Sequence, residues 1–69
     1  TNQKNKTMNK EIKEALVAAY EQDKLQLFEL SFNCNHSFYE EPQSLDDYLD
    51  FVSEYSHKAL LEIINQFNQ

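Results

Sequence analysis

A long apolar stripe in the second half of the sequence constrains the fold more than any other feature. Nine apolar residues recur there, mostly three or four positions apart, as they do on one face of an α-helix. They are Leu45, Tyr48, Leu49, Val52, Tyr55, Ala59, Leu60, Ile63 and Phe67. Ser44 precedes the stripe and stands three residues before Asp47, which is typical of a helix N-cap followed by an acidic first turn. The pattern predicts a single helix over about residues 45–67.

A shorter helical pattern lies near the start of the sequence. Four apolar residues recur there at helical spacing, namely Ile12, Leu16, Ala19 and Tyr20. Asn9 precedes them and can cap the helix, because its side-chain oxygen can accept a hydrogen bond from a free amide of the first turn. These residues predict an amphipathic helix from Asn9 to Asp23.

The segment between these two patterns fits two structures. As a helix, residues 25–34 would carry apolar side chains on two opposite faces, and a chain of 69 residues can hardly bury both. As a strand, Phe28, Leu30 and Phe32 alternate with polar residues and give one core face and one wet face. Residues 33–35 could then turn the chain, and residues 36–39 could return as a second strand.

The sequence therefore predicts an α+β fold of the order helix, β-hairpin, helix, and the alternative is an all-α helical hairpin that forms a dimeric bundle. Residues 8–69 are expected to form one compact domain, and the polar residues 1–7 a disordered tail or a tag remnant. A hairpin leaves strand edges unpaired, so we expect a homodimer. The predicted core consists of Leu16, Tyr20, Phe28, Leu30, Phe32, Tyr48, Val52, Tyr55, Leu60 and Ile63.

The charge of the chain excludes several classes of partner. The chain contains twelve acidic residues, six lysines and no arginine, so its net charge is −6. This charge disfavours direct binding to nucleic acid or to an anionic membrane surface. No apolar run is long enough to span a bilayer, and the single cysteine cannot form an internal disulfide. We expect a cytoplasmic protein, and a composition rich in Asn and Gln without Gly or Arg suggests a bacterial or phage source.

Four residues with reactive or ligating side chains fail the tests for a catalytic or metal site. Cys34 and His36 are two residues apart, but a structural zinc site needs four well-placed ligands. The charges nearest to Cys34 in sequence are acidic, which disfavours a reactive thiolate. Glu54 and His57 have the spacing of a di-iron half-site, yet both lie opposite the apolar stripe. We therefore predict no catalytic residue, no metal and no cofactor.

Charge segregation is the strongest remaining signal of function. Seven acidic residues and no lysine lie between Leu25 and His57, and acids near the start of the second helix are partly explained by the helix dipole. Phe51 lies beside these acids and is a possible anchor. The predicted partner-binding residues are Glu40, Glu41, Asp47, Asp50, Phe51 and Glu54.

These residues suggest a non-catalytic interaction module, such as a small regulator or inhibitor that binds a protein with a basic surface. Two alternatives remain open at this point. One is a structural homodimerisation module without a charge-steered partner, and the other is a small enzyme whose pocket the sequence cannot display.

Overall fold

The computed structural model describes residues 8–34 and 41–69, and these residues form three helices. They are α1 (Lys10–Cys34), α2 (Leu45–Val52) and α3 (His57–Phe67). The described part of the chain contains no strand, so the predicted α+β fold is wrong. The alternative was right in being all-helical, but it assumed two helices, and its dimer stays a prediction.

The first half of α1 matches the predicted amphipathic helix. The side-chain oxygen of Asn9 accepts a hydrogen bond of 2.8 Å from the Ile12 amide, so the predicted N-cap is confirmed. Ile12, Leu16 and Ala19 are buried on the face that packs into the core. The charged residues of this segment remain exposed, as helical periodicity requires.

A sharp bend at Asp23 divides α1. Asp23 has extended backbone angles (φ −160°, ψ 85°), and its carboxylate accepts a hydrogen bond of 3.1 Å from the Gln26 amide. Asp23 thus ends one helical segment and caps the next. Ala15 and Leu27 line one groove, although a straight helix would separate them by about 18 Å along its axis. The second half of α1 therefore folds back towards the first.

Residues 25–34 form helix where a strand was predicted. The buried face of this segment consists of Leu27, Phe28 and Ser31, and Leu25 is 66% exposed. The expected cost of burying two opposite apolar faces does not arise, because Leu25 stays in water and Phe32 is only half-buried. The proposed turn and second strand fall mainly on residues 35–40, which lie outside the described residues.

The predicted single helix over residues 45–67 is interrupted after Val52. The hydroxyl of Ser53 donates to the Asp50 carbonyl over 2.6 Å, and the hydroxyl of Ser56 accepts from the Ala59 amide over 3.1 Å. Ser56 is the N-cap of α3, so a new helix starts there. The apolar stripe continues across the break because Tyr55, in the turn, is also buried.

One hydrophobic core receives side chains from all three helices. Seven of the ten predicted core residues are buried, namely Leu16, Phe28, Tyr48, Val52, Tyr55, Leu60 and Ile63. The other three, Tyr20, Leu30 and Phe32, are half-buried and pack against the core. The buried residues outside the predicted core include Met8, Leu27 and Phe67.

Three hydroxyl groups connect the helices inside this core, and we call Ser31, Tyr48 and Tyr55 the hydroxyl cluster. Ser31 donates to the Leu27 carbonyl over 2.8 Å, which uses its only hydroxyl hydrogen. The Tyr48 hydroxyl, 2.7 Å from Ser31 Oγ, must then be the donor of that hydrogen bond. The Tyr55 hydroxyl donates to the Ser31 carbonyl over 3.0 Å. Ser31 on α1 is thereby joined to α2 and to the turn before α3.

Candidate interaction site

The outward side of α2 carries the predicted site because the helix is amphipathic. Tyr48 and Val52 are fully buried, which turns the opposite side of α2 to solvent. Four carboxylates on and next to this outward side are exposed, and we call them the acidic face: Glu41, Asp46, Asp50 and Glu54. Glu41 precedes α2, and Glu54 lies in the turn that follows it.

The structure gives Asp47 a local structural role. Its backbone amide donates to Ser44 Oγ over 3.1 Å, and its carboxylate accepts from the Gln43 amide over 2.8 Å. This reciprocal arrangement satisfies two amides at the start of α2 and confirms the predicted N-cap. Asp47 is only half-exposed. The Asp47 carboxylate is therefore used by the fold itself.

Phe51 lies on the flank of α2 and is 36% exposed. The Phe51 carbonyl accepts a hydrogen bond of 3.4 Å from the Glu54 amide, so Phe51 and Glu54 are the two ends of one hydrogen-bonded turn. Asp50 and Phe51 each make a further interaction within the chain. Glu40 lies outside the described residues. The structure thus places Glu41, Asp50, Phe51 and Glu54 on or next to α2, and their role in binding a partner stays a prediction.

Asp46 is an exposed acid that the sequence analysis did not select. It stands four residues before Asp50, so the two carboxylates lie on the same side of α2. A helical wheel could have identified it, but its place in the first turn suggested only a role in the helix dipole.

The charge imbalance is concentrated in the part of the chain that contains α2. Residues 41–69 carry six acids and one lysine, whereas residues 8–34 carry five acids and three lysines. The exposed side of α1 thus carries charges of both signs. α2 carries acids only, and it has no basic residue in its last turn. A basic partner would accordingly be attracted mainly to the side of the molecule that carries α2.

The single cysteine is not arranged as a nucleophile. Cys34 is half-buried, and its pKa is raised by burial and by the nearby carboxylate of Glu62. A raised pKa keeps the thiol protonated at neutral pH, which is the opposite of what thiolate chemistry needs. His57 is exposed at the first position of α3, and Glu54 lies outside the helices, so the two do not share a helix face.

Metal-binding geometry is also absent from the described residues, where no three His, Cys, Asp or Glu side chains come together. His36 lies outside them.

A groove of about 180 Å³ lies between α1 and α3. Its lining is mostly apolar and includes Ala15, Ala19, Leu27, Ile64 and Phe67, with the amides of Gln22 and Asn68 as its polar groups. No acid, base or nucleophile lines this groove. The groove thus lacks the convergent titratable groups that general acid–base or covalent catalysis requires.

Comparisons with known proteins identify no relative, since no family model, curated protein or solved structure matches this chain. None of the described helices is both long and apolar enough to cross a membrane.

Proposed function

We propose that this protein is a non-catalytic interaction module that presents the acidic face to a basic surface on another protein. The observation that carries the proposal is the exposure of four carboxylates around one short helix, in residues 41–56, where the sequence has no lysine. A surface of one charge sign attracts an oppositely charged partner and accelerates its association.

The arrangement of two acids supports a role beyond solubility. Asp46 and Asp50 are four residues apart on α2, and like charges at this spacing destabilise a helix by a few tenths of a kcal/mol. The helix dipole offsets this cost for Asp46 in the first turn but not for Asp50, which lies beyond it. The like-charge spacing of these two acids therefore does not stabilise α2, which supports a role for them in recognition.

The partner that fits this face is a protein groove rich in lysine or arginine. Such grooves commonly hold the phosphate backbone of nucleic acid, so the protein would act as a regulator or inhibitor by occupying one. Phe51 supplies the apolar contact beside the charges, since aromatic anchors often contribute most of the binding energy of an interface. The charges would govern the association rate, and Phe51 the lifetime of the complex.

Comparing two triple variants would test the proposal. The first, E41Q/D46N/E54Q, neutralises three carboxylates of the acidic face. The second, E14Q/E21Q/E29Q, removes the same amount of charge from exposed positions on α1. Each variant and the unsubstituted chain would be used to capture proteins from bacterial extracts, and association rates with the captured protein would then be measured at low and moderate salt.

We expect the α2 triple to associate on the order of tenfold more slowly at low salt and the α1 triple to resemble the unsubstituted chain. The difference should shrink as salt screens the charges. Equal slowing in both triples would indicate net charge without a defined site. Unchanged rates in both would favour the alternative of a structural homodimerisation module.

A further inference from the structure

Asp23 alone joins the two halves of α1. The residues on both sides are helical, and Asp23 is in an extended conformation that any residue can adopt without strain. The carboxylate bond from Asp23 to the Gln26 amide is exposed to solvent. The bend is therefore held locally by two backbone angles and one solvent-exposed cap.

A straight α1 could not pack on the rest of its own chain. Each residue advances 100° around a helix, so the centre of the buried set Ile12, Leu16 and Ala19 would lie about 100° from the centre of the buried set Leu27, Phe28 and Ser31. A straight helix of 25 residues would also be about 37 Å long, whereas the longest dimension of the molecule is 31 Å. Straightening must therefore remove one half of α1 from the core.

We propose that Asp23 is the hinge of a helix exchange between two copies of this chain. In the exchanged dimer α1 is straight, and the segment before Asp23 occupies, in the second copy, the place that it leaves in its own. The contacts across the hinge are apolar or aromatic, such as the Tyr20 and Phe28 rings at 5.9 Å and the groove that Ala15 shares with Leu27. A second copy supplies identical contacts, which makes exchange a low-cost route to a dimer.

The balance between the two forms depends on the hinge itself. The bent form has the Asp23 cap, and the straight form gains continuous helical hydrogen bonds through this position. The cap therefore favours the monomer. Removing it at both hinges of a dimer should shift the dimerisation constant in favour of exchange.

Two variants of Asp23 separate the cap from the rest of the side chain. D23A removes the capping oxygen, whereas D23N keeps one and is the matched control. We expect D23A to raise the dimerisation constant, measured by analytical ultracentrifugation, by roughly 30-fold, because a cap contributes about 1 kcal/mol and each dimer has two hinges. D23N should leave it nearly unchanged.

Spin labels report whether α1 is straight in each form. Lys13 and Asn33 are exposed and can carry labels after substitution by cysteine in a C34A chain. A straight helix places these two backbone positions about 30 Å apart, and the bent form places them closer. Mixing with an excess of unlabelled chain gives dimers in which only one chain is labelled, so the measured distance lies within a single chain. The expected result is a distance of about 30 Å that appears only in the dimer fraction.

If D23A does not fold, the chain with Asp23 unchanged can be tested instead. It would be refolded from denaturant at millimolar concentration, and its oligomeric state and spin-label distance measured. A dimer with the long distance supports the exchange. A chain that stays monomeric there overturns the proposal, as does a dimer that keeps the short distance or a straight helix in a monomer.

Discussion

The interior of the molecule and the acidic face use different polar groups for different purposes. Inside, the hydroxyl cluster contains uncharged groups, and no buried side-chain polar atom among the described residues lacks a hydrogen-bond partner. Outside, the acidic face contains carboxylates whose burial would cost far more than burial of a hydroxyl. The buried polar groups of the fold are therefore neutral and fully hydrogen-bonded, whereas its charged structural groups, the Asp23 and Asp47 caps, lie at the surface. The four carboxylates of the acidic face are exposed and are the ones that we propose for contacts with another protein.

Substituting a buried apolar residue in the second half of α1 should cost far more stability than substituting an exposed one. Phe28 is 3% exposed and packs on the rings of Tyr20, Tyr48 and Phe32. F28A should lower the free energy of unfolding by about 3–5 kcal/mol, measured by chemical denaturation. The matched change L25A, at a residue that is 66% exposed, should cost about 0.5 kcal/mol or less. Similar losses from both would contradict the helical packing of this segment.

The hydroxyl cluster predicts a rescue by a second substitution. S31A leaves the buried Tyr48 hydroxyl without the acceptor that it now has at 2.7 Å, and should cost about 1–3 kcal/mol. Adding Y48F removes the orphaned hydroxyl, so the double variant should be more stable than the sum of the two single losses predicts. Strictly additive losses in a double-mutant cycle would show that this hydrogen bond does not couple the two residues.

Alkaline pH should weaken the interior through the same hydroxyls. Burial raises the pKa of Tyr48 from 10.0 to about 12, and it also raises the pKa of Tyr55. The folded state therefore keeps these phenols protonated where the unfolded chain ionises. The stabilisation is complete below pH 10 and is lost as the pH rises to about 12.

The expected loss for Tyr48 is on the order of 2 kcal/mol, and Y48F should show a correspondingly shallower decline. Chemical denaturation at a series of alkaline pH values measures this decline. A free energy of unfolding that stays constant over that range would contradict the burial of the phenols.

The helix N-caps at Asn9 and Ser44 were predicted from the sequence, whereas the N-cap at Ser56 was not. Asn9 and Ser44 cap the helices that follow them, and the first helical pattern ends at Asp23, where α1 bends. Residues 25–34 were assigned to a strand because a helix there carries apolar side chains on two opposite faces. The structure forms the helix without burying both faces, since Leu25 stays exposed and Phe32 is half-buried.

The break between α2 and α3 was missed for the opposite reason. Val52, Tyr55 and Ala59 keep helical spacing through the turn, so the apolar pattern gives no sign of an interruption. The residues that indicate the break are polar. The hydroxyls of Ser53 and Ser56 hydrogen-bond to nearby backbone groups and so compete with the hydrogen bonds of a continuous helix. For the candidate site, the exposure of Asp50 and Glu54 was predicted from helical periodicity, whereas Glu41, which precedes α2, was selected only for its charge. The cap made by the Asp47 carboxylate depends on local geometry that periodicity does not contain.

The smallest expected effect on stability belongs to the acidic face. Neutralising Glu41, Asp46 and Glu54 together should change the free energy of unfolding little, because each exposed charge contributes about 0.5 kcal/mol or less. Chemical denaturation of the E41Q/D46N/E54Q triple, with the α1 triple as control, measures this. A loss of several kcal/mol would mean that these carboxylates maintain the fold, and the contrast between interior and surface would fail.

An NMR titration shows directly whether a basic partner binds only at the acidic face. The isotope-labelled protein would be titrated with a lysine-rich peptide at low and moderate salt, and the chemical shift of each residue followed. The acidic face should collect the peptide, so chemical-shift changes should concentrate in residues 41–56 and should weaken as salt is added. The E41Q/D46N/E54Q triple should lose them, and the α1 triple should keep them. Shift changes spread evenly over the exposed acids of α1 and α2 would contradict the claim that recognition is confined to one face.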